Sequence, residues 1–297
     1  MSRVYLVLLI VGLMAPAHAD PKPKAKKVER QRIRVRLQTG ARYAGSTTVS
    51  YTIRTRVTEG ERESSSTESV QRTERFVDNV VRAGDNGLLE IKRNYLRVYS
   101  KTRDLETGRP NVRQSPMQGR SVVIRESRRK REVVLSGRGS IDSRISRTAG
   151  MELDWRDVFP EEPVGIGDTW SADARRLARR LAVYLKCGTR STMKVKYEED
   201  VVRDGSRQAK LYVDWTVEGM RDRRLFTKVT VAGDVYYDFA QRRVVHVDVG
   251  GSMIVRGAYV GKGKPRIVKG EGPVSIQTTV NLAPIRAAAG DDDEEDE

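Results

Sequence analysis

A single cysteine in 297 residues rules out an intramolecular disulfide and any zinc centre built on thiolates. Histidine is nearly as scarce: of the two, His18 lies in an N-terminal apolar region, leaving His246 as the one imidazole available for acid–base work. Aromatic residues make up 6% of the chain, few for a surface that stacks bases, and no recognised nucleic-acid-binding motif is present. No apolar run reaches the roughly 20 residues that a membrane-spanning helix requires. Specific nucleic-acid binding and a transmembrane segment in the mature chain are therefore not expected, and nothing in the residues implies a cofactor.

What the chain does have begins with Arg3, the eleven apolar residues Val4 to Met14, and Ala17-His18-Ala19. A short basic start, a brief apolar core and small residues at the two positions read by a signal peptidase predict a cleavable signal peptide over 1–19, with Asp20 as the first mature residue. The expected location is periplasmic or extracellular. Charge is the second feature. Arginine outnumbers lysine 41 to 15, and residues 20–290 hold 55 basic against 33 acidic side chains, a net +22. Such a body attracts polyanions, although solvated guanidinium groups on exposed strand faces are the simplest account of the excess.

Residues 20–31 form a basic, proline-containing segment that is expected to be a disordered linker, and 286–297 an acidic disordered tail ending in the run Asp291–Glu297. Between them, 32–285 reads as a β-rich domain, either one body or two lobes over 32–150 and 165–285. Ile33, Val35 and Leu37 alternate with Arg32, Arg34 and Arg36, the period of a half-buried strand. Similar runs follow through Val49–Val57, about 70–82, Leu89–Val98, 120–126 and 132–136, with a turn around Glu61–Ser66 and a bulge near Asn94 where the apolar parity flips. After Gly188 come Met193–Tyr197, Leu211–Val217, Val229–Phe239, Val245–Ile254 and Val274–Val280, separated by turns such as Asp204-Gly205. One amphipathic helix is predicted at about 172–187, with Leu177, Ala178, Leu181, Ala182 and Leu185 on its apolar face, Ser171 as its cap and Gly188 as its stop. The fold class is mainly β: a large antiparallel curved sheet or open half-barrel with that one helix.

The connector Phe159-Pro160, Pro163-Val164, Gly167-Asp168 and Trp170 resembles the F-P-x-x-P-V-x-x-G-D-x-W element of secreted bacterial β-rich proteins of unknown function. The strands from Gly233 to Val280 look like the downstream half of that group, which carries no catalytic or binding residues to transfer. A more distant likeness, in architecture alone, is to periplasmic lipoprotein carriers whose half-barrel encloses an acyl chain.

Chemistry in the sequence is sparse. His246 and Asp248 share a strand face, yet no serine or cysteine motif accompanies them. Cys187 lies beside Lys186 at the expected helix end, and the glycines at 261, 263, 270 and 272 sit among lysines without matching a phosphate loop. The expectation is a non-catalytic envelope binding or carrier module. Its partner would be a lipid, a lipoprotein or an anionic envelope polymer. Tyr197, Trp215, Val231 and Tyr237 are the candidate apolar ligand contacts, and Arg175, Arg176, Arg179 and Arg180 the candidate anion contacts. The alternatives are a hydrolase using carboxylates such as Asp154, Asp168 or Asp214, and a purely structural envelope protein.

Overall fold

The computed structural model describes residues 29–84, 88–127, 131–141, 146, 149–150, 155–181, 187–221, 224–259 and 265–282. The predicted signal peptide, residues 20–28 of the predicted linker, the whole acidic tail 286–297 and Asp154 lie outside them. Among the described residues twelve strands and one helix are delimited, in the order β1 (Arg42–Glu59), β2 (Arg62–Ala83), β3 (Leu89–Asp104), β4 (Pro110–Gln114), β5 (Ser121–Glu126), β6 (Arg131–Leu135), β7 (Thr169–Ala172), α1 (Arg175–Leu181), β8 (Cys187–Arg203), β9 (Ser206–Arg221), β10 (Leu225–Asp238), β11 (Arg243–Tyr259) and β12 (Arg266–Leu282). They make one open antiparallel sheet in the order β6-β5-β3-β2-β1-β12-β11-β10-β9-β8-β7, with β4 paired to β3. The first strand lies against the last, Tyr43 opposite Leu282 and Glu59 opposite Arg266, so the sheet continues without a break between the two halves of the sequence.

Alternation explains the ladder. One face, here the inner, takes Phe76, Val80, Ile91, Tyr95, Val122 and Ile124 in the first half and Val195, Leu211, Val213, Trp215, Val235 and Ile276 in the second, all buried. The inner residues gather into two main clusters, one on each half, and residues 31–38, the connector and α1 cover the second. A buried ion pair interrupts the apolar lining of the first: Arg93 donates through Nε and Nη2 to both oxygens of Asp78 at 2.7 Å, opposite each other in register, and its guanidinium lies 3.6 Å over the ring of Phe76.

Inner-face glycines let the strands bend. A Cβ on Gly251 would stand 2.0 Å from the Thr230 carbonyl, and one on Gly272 1.7 Å from that of Thr52. Backbones approach that closely only where no side chain intervenes.

Several expectations need correction. The predicted parity flip is real, but the bulged residue is Leu96, which turns outward and is exposed while Tyr95 and Val98 stay inside. The polar stretch 61–66 is mostly strand, because the β1–β2 turn is confined to Gly60 and Glu61 and the hairpin runs on past the apolar core. Residues 32–38 alternate as expected, with Ile33 buried and Arg32, Arg34 and Arg36 exposed, yet they join no ladder beyond the single bridge of Gln31 to Val164. Ile33 and Val35 pack on the second core cluster instead, and Leu37 on the first. The helix starts later than predicted and does not include Cys187, while residues 182–186 lie outside the described residues. Ser171 belongs to β7, and Asp173 accepts the Arg175 N–H at 3.2 Å where the cap was expected. Cys187 and Gly188 begin β8, with Cys187 opposite Met220, so the apolar spacing does not continue as helix to 187.

Candidate functional site

The segment 31–38 is held by backbone bonds rather than by a sheet. Gln31 and Val164 exchange N–H···O bonds of 2.7 and 2.9 Å, and the Arg36 N–H donates to the Arg242 carbonyl at 2.8 Å. Midway, the buried Tyr237 hydroxyl donates to the Arg34 carbonyl at 2.6 Å and accepts the Arg34 N–H at 3.2 Å. The connector is anchored in parallel. Trp170 Nε1 donates to the Val158 carbonyl at 2.9 Å, Phe159 meets the Tyr237 ring edge-on at 5.5 Å, and the turn at Gly167 (φ 93°) is tied by the Gly165 N–H to Asp168 Oδ2. Phe159, Val164, Gly167, Asp168 and Trp170 of the F-P-x-x-P-V-x-x-G-D-x-W element thus each have a packing or turn reason for their type.

Between these two segments and the β2–β3 end of the sheet lies an open cavity of 630 Å³. Ile33, Val35, Leu37, Leu88, Leu89 and Phe159 supply apolar lining, and Arg34, Arg36, Arg156 and Arg242 supply charge, against Asp157 and Glu161. Arg156 is committed: it ion-pairs with Glu126 and approaches Asp157 at 3.9 Å. Among the described residues no carboxylate pairs with Arg34, Arg36 or Arg242, and all three are exposed. Arg242 has φ 50°, a left-handed conformation that glycine or asparagine adopts more readily. The turn before it is fixed by Asp238, whose Oδ1 accepts the N–H groups of Ala240 and Gln241 at 2.9 and 2.8 Å. Burial pushes the Tyr237 phenol upward, and its bond to Arg34 and the charges of Arg242 and Arg36 pull it back.

The sequence candidates fall elsewhere. Tyr197, Trp215, Val231 and Tyr237 come together in the second core cluster, all buried, and none lines the cavity. Their polar atoms have partners: Trp215 Nε1 donates to Ser191 Oγ at 2.8 Å and Tyr197 to Asp200. Burial, followed by that carboxylate, raises the Tyr197 phenol above its ordinary range. Of the helix arginines, Arg175 donates to Asp173 at 2.8 Å, and this bond holds the Asp173 carboxyl down at about 2. Arg176 reaches Asp157 at 3.4 Å and Glu126 at 3.7 Å, so α1 is tied to the β5–β6 end by charge. The side chains of Arg179, Arg180 and Cys187 lie outside the described residues.

For a hydrolase, Asp168 is engaged in the connector turn and Asp214 is exposed on β9, opposite Lys194; the two do not share a cavity. His246 bonds Thr279 Oγ1 at 3.1 Å and lies tilted beside the Tyr236 ring on the outer face, and Asp248 accepts from Gln277 at 3.3 Å instead of orienting it. Among the described residues no three His, Cys, Asp or Glu side chains are grouped to hold a metal. No described helix is long and apolar enough to cross a membrane. Sequence reasoning missed the cavity because its walls come from four distant stretches; the one local sign was arginine standing in place of glycine at the turn before β11.

No family model matches the chain, and no curated protein does. Among solved structures, lipovitellin, described for its lipid–protein interactions, is similar over 85% of this chain and 26% of its own at 9% identity and a TM-score of 0.40. The chain thus spans about a quarter of lipovitellin's length. An outer membrane channel from Pseudomonas putida F1 is similar over 83% of this chain and 97% of its own, at 6% identity and a TM-score of 0.25. A domain described as an outer membrane lipoprotein-sorting protein, from Vibrio parahaemolyticus, is similar over 81% and 87% at 7% identity and a TM-score of 0.14.

Proposed function

We propose that this chain is an exported, non-catalytic carrier that holds an amphiphile with an anionic head group in the cavity beneath residues 31–38. The observation that carries the reading is the juxtaposition in one open cavity of 630 Å³ of an apolar lining with three arginines that no described carboxylate pairs. That volume falls inside the roughly 300–1,000 Å³ of small-molecule sites. Leu37, Leu88 and Phe159 would take the apolar portion, and Arg34, Arg36 and Arg242 the phosphate or carboxylate, two of whose oxygens suit a guanidinium fork.

Titration of the purified chain with a fluorescent fatty acid and a fluorescent lysophospholipid, alongside an uncharged alkyl alcohol of equal length, tests this. The expected result is saturable binding of the anionic probes, weakened about tenfold by Arg242→Gly and further by Arg36→Ala, with the alcohol weaker than either. Equal binding of the alcohol, or anionic affinities unmoved by both substitutions, overturns the reading.

A further inference from the structure

A second surface lies at the opposite end of the long strands, on the outer face, and stands independently of the cavity. In register across β11, β12 and β1, Arg256 faces Lys269 and Lys269 faces Arg56. Three cations side by side on one face of a sheet repel one another, since directly opposed like charges destabilise a strand pair. Internal compensation is thin. Arg56 bridges to Glu63 at 2.9 Å with both side chains more than half exposed, and Arg256 lies 4.8 Å over the Phe226 ring. Among the described residues no ion pair joins Lys269 to a carboxylate, and the acid nearest along its strand on this face, Glu271, stands opposite Ile254 and Arg54. Two residues away on the same face stand Ile254 and Ile267, large aliphatics that are 43% and 48% exposed. Solvated charge alone gives no reason for apolar side chains to flank a cationic row on a surface.

We propose that this patch docks the protein on an anionic lipid surface: Arg256, Lys269 and Arg56 meet the head groups while Ile254, Ile267 and Phe226 enter the acyl boundary. Surface attachment of this kind combines buried apolar area with attraction to anionic lipid, and the patch presents both on one rigid face. An acidic polysaccharide or other soluble polyanion would use the cations and leave the isoleucines idle.

The test is sedimentation of the full chain with phosphatidylcholine vesicles, with and without phosphatidylglycerol, and a parallel titration with heparin. Expected are binding that requires phosphatidylglycerol, a loss of about tenfold or more for Lys269→Glu, and a several-fold loss for Ile254→Ser with Ile267→Ser that persists at high salt. Because Lys269→Glu replaces a repelling neighbour with an attracting one, its melting temperature should match or exceed that of the parent, which separates lost docking from lost fold. Equal sedimentation with neutral vesicles overturns the proposal. So does heparin binding with the vesicle affinities indifferent to the isoleucine substitutions, which would assign the patch to a soluble polyanion. Neither result touches the cavity, whose probes are read without vesicles.

Discussion

Arg242 shows how one side chain can be kept against the local preference of its backbone. Holding a non-glycine residue at φ 50° costs on the order of 1 kcal/mol, and glycine would remove that cost while adding a comparable loss of chain entropy on folding. Arg242→Gly should therefore leave stability within about 1 kcal/mol of the parent while weakening the anionic probes, so that binding and folding separate in one variant. His246 makes a different residue-scale prediction. Partial burial and the nearby charge of Arg203 depress its pKa below the ordinary 6.5, so the unfolded chain binds the proton more readily than the folded one. Stability contributed by this group is complete above pH 6.5 and falls as pH drops through the depressed value. In denaturant titrations the gap between the parent and His246→Asn should shift in the parent's favour as pH rises toward neutrality, and an unchanged gap would contradict the assigned burial.

At the scale of elements, the inner glycines carry the clearest expectation. A methyl at Gly251 would meet a neighbouring carbonyl at 2.0 Å, whereas at Gly250, one residue away on the outer face, the nearest atom is the Val274 carbonyl at 3.7 Å. Gly251→Ala should cost at least about 2 kcal/mol in chemical denaturation and Gly250→Ala less than about 0.5 kcal/mol. The same alternation made most strands legible in advance. Valine and isoleucine at every second position mark the parts of β8 to β12 that face the core, and Asp204-Gly205 marks their first hairpin, with Asp204 itself at φ 52°. The outer ends of β1 and β2 were not legible, because serine, threonine and charge extend the ladder beyond any core. Period two also could not tell a paired strand from the extended run 31–38, since Ile33 is buried against the sheet without being part of it. The predicted helix end at 187 fails because Cys187 pairs with Met220 in the sheet, while Ala182 and Leu185 lie outside the described residues.

For the whole molecule, the β1–β12 ladder bears on whether the halves fold separately. All three tryptophans, Trp155, Trp170 and Trp215, sit in or against the second core cluster, whereas far-ultraviolet circular dichroism reads the entire sheet. Thermal or denaturant unfolding followed by the two signals should give coincident midpoints; separated midpoints would show two independently folding lobes. The candidate site is a property of this scale too, which is why so little of it could be read beforehand. Apolar inner-face residues such as Trp215 and Tyr237 look the same in sequence whether a ligand or the protein's own segment covers them, and here residues 31–38 and the connector do. Likewise nothing near Arg176 in the sequence announces Glu126, fifty residues earlier, as its partner. Finally, the sheet stays open, and β7 shields only Met193 to Lys196 of the long β8, with Gly167 and Asp168 bonding Tyr197 beyond. Past that point the border of the sheet runs through Glu198, Glu199, Asp200 and Arg203 and is offset by the irregularity between Tyr197 and Glu199, with Val202 80% exposed. Charge and a kink on a margin that no described strand pairs discourage a second molecule from stacking there, so the protein is armed against fibril growth along the side on which one solvent-facing valine would otherwise invite it.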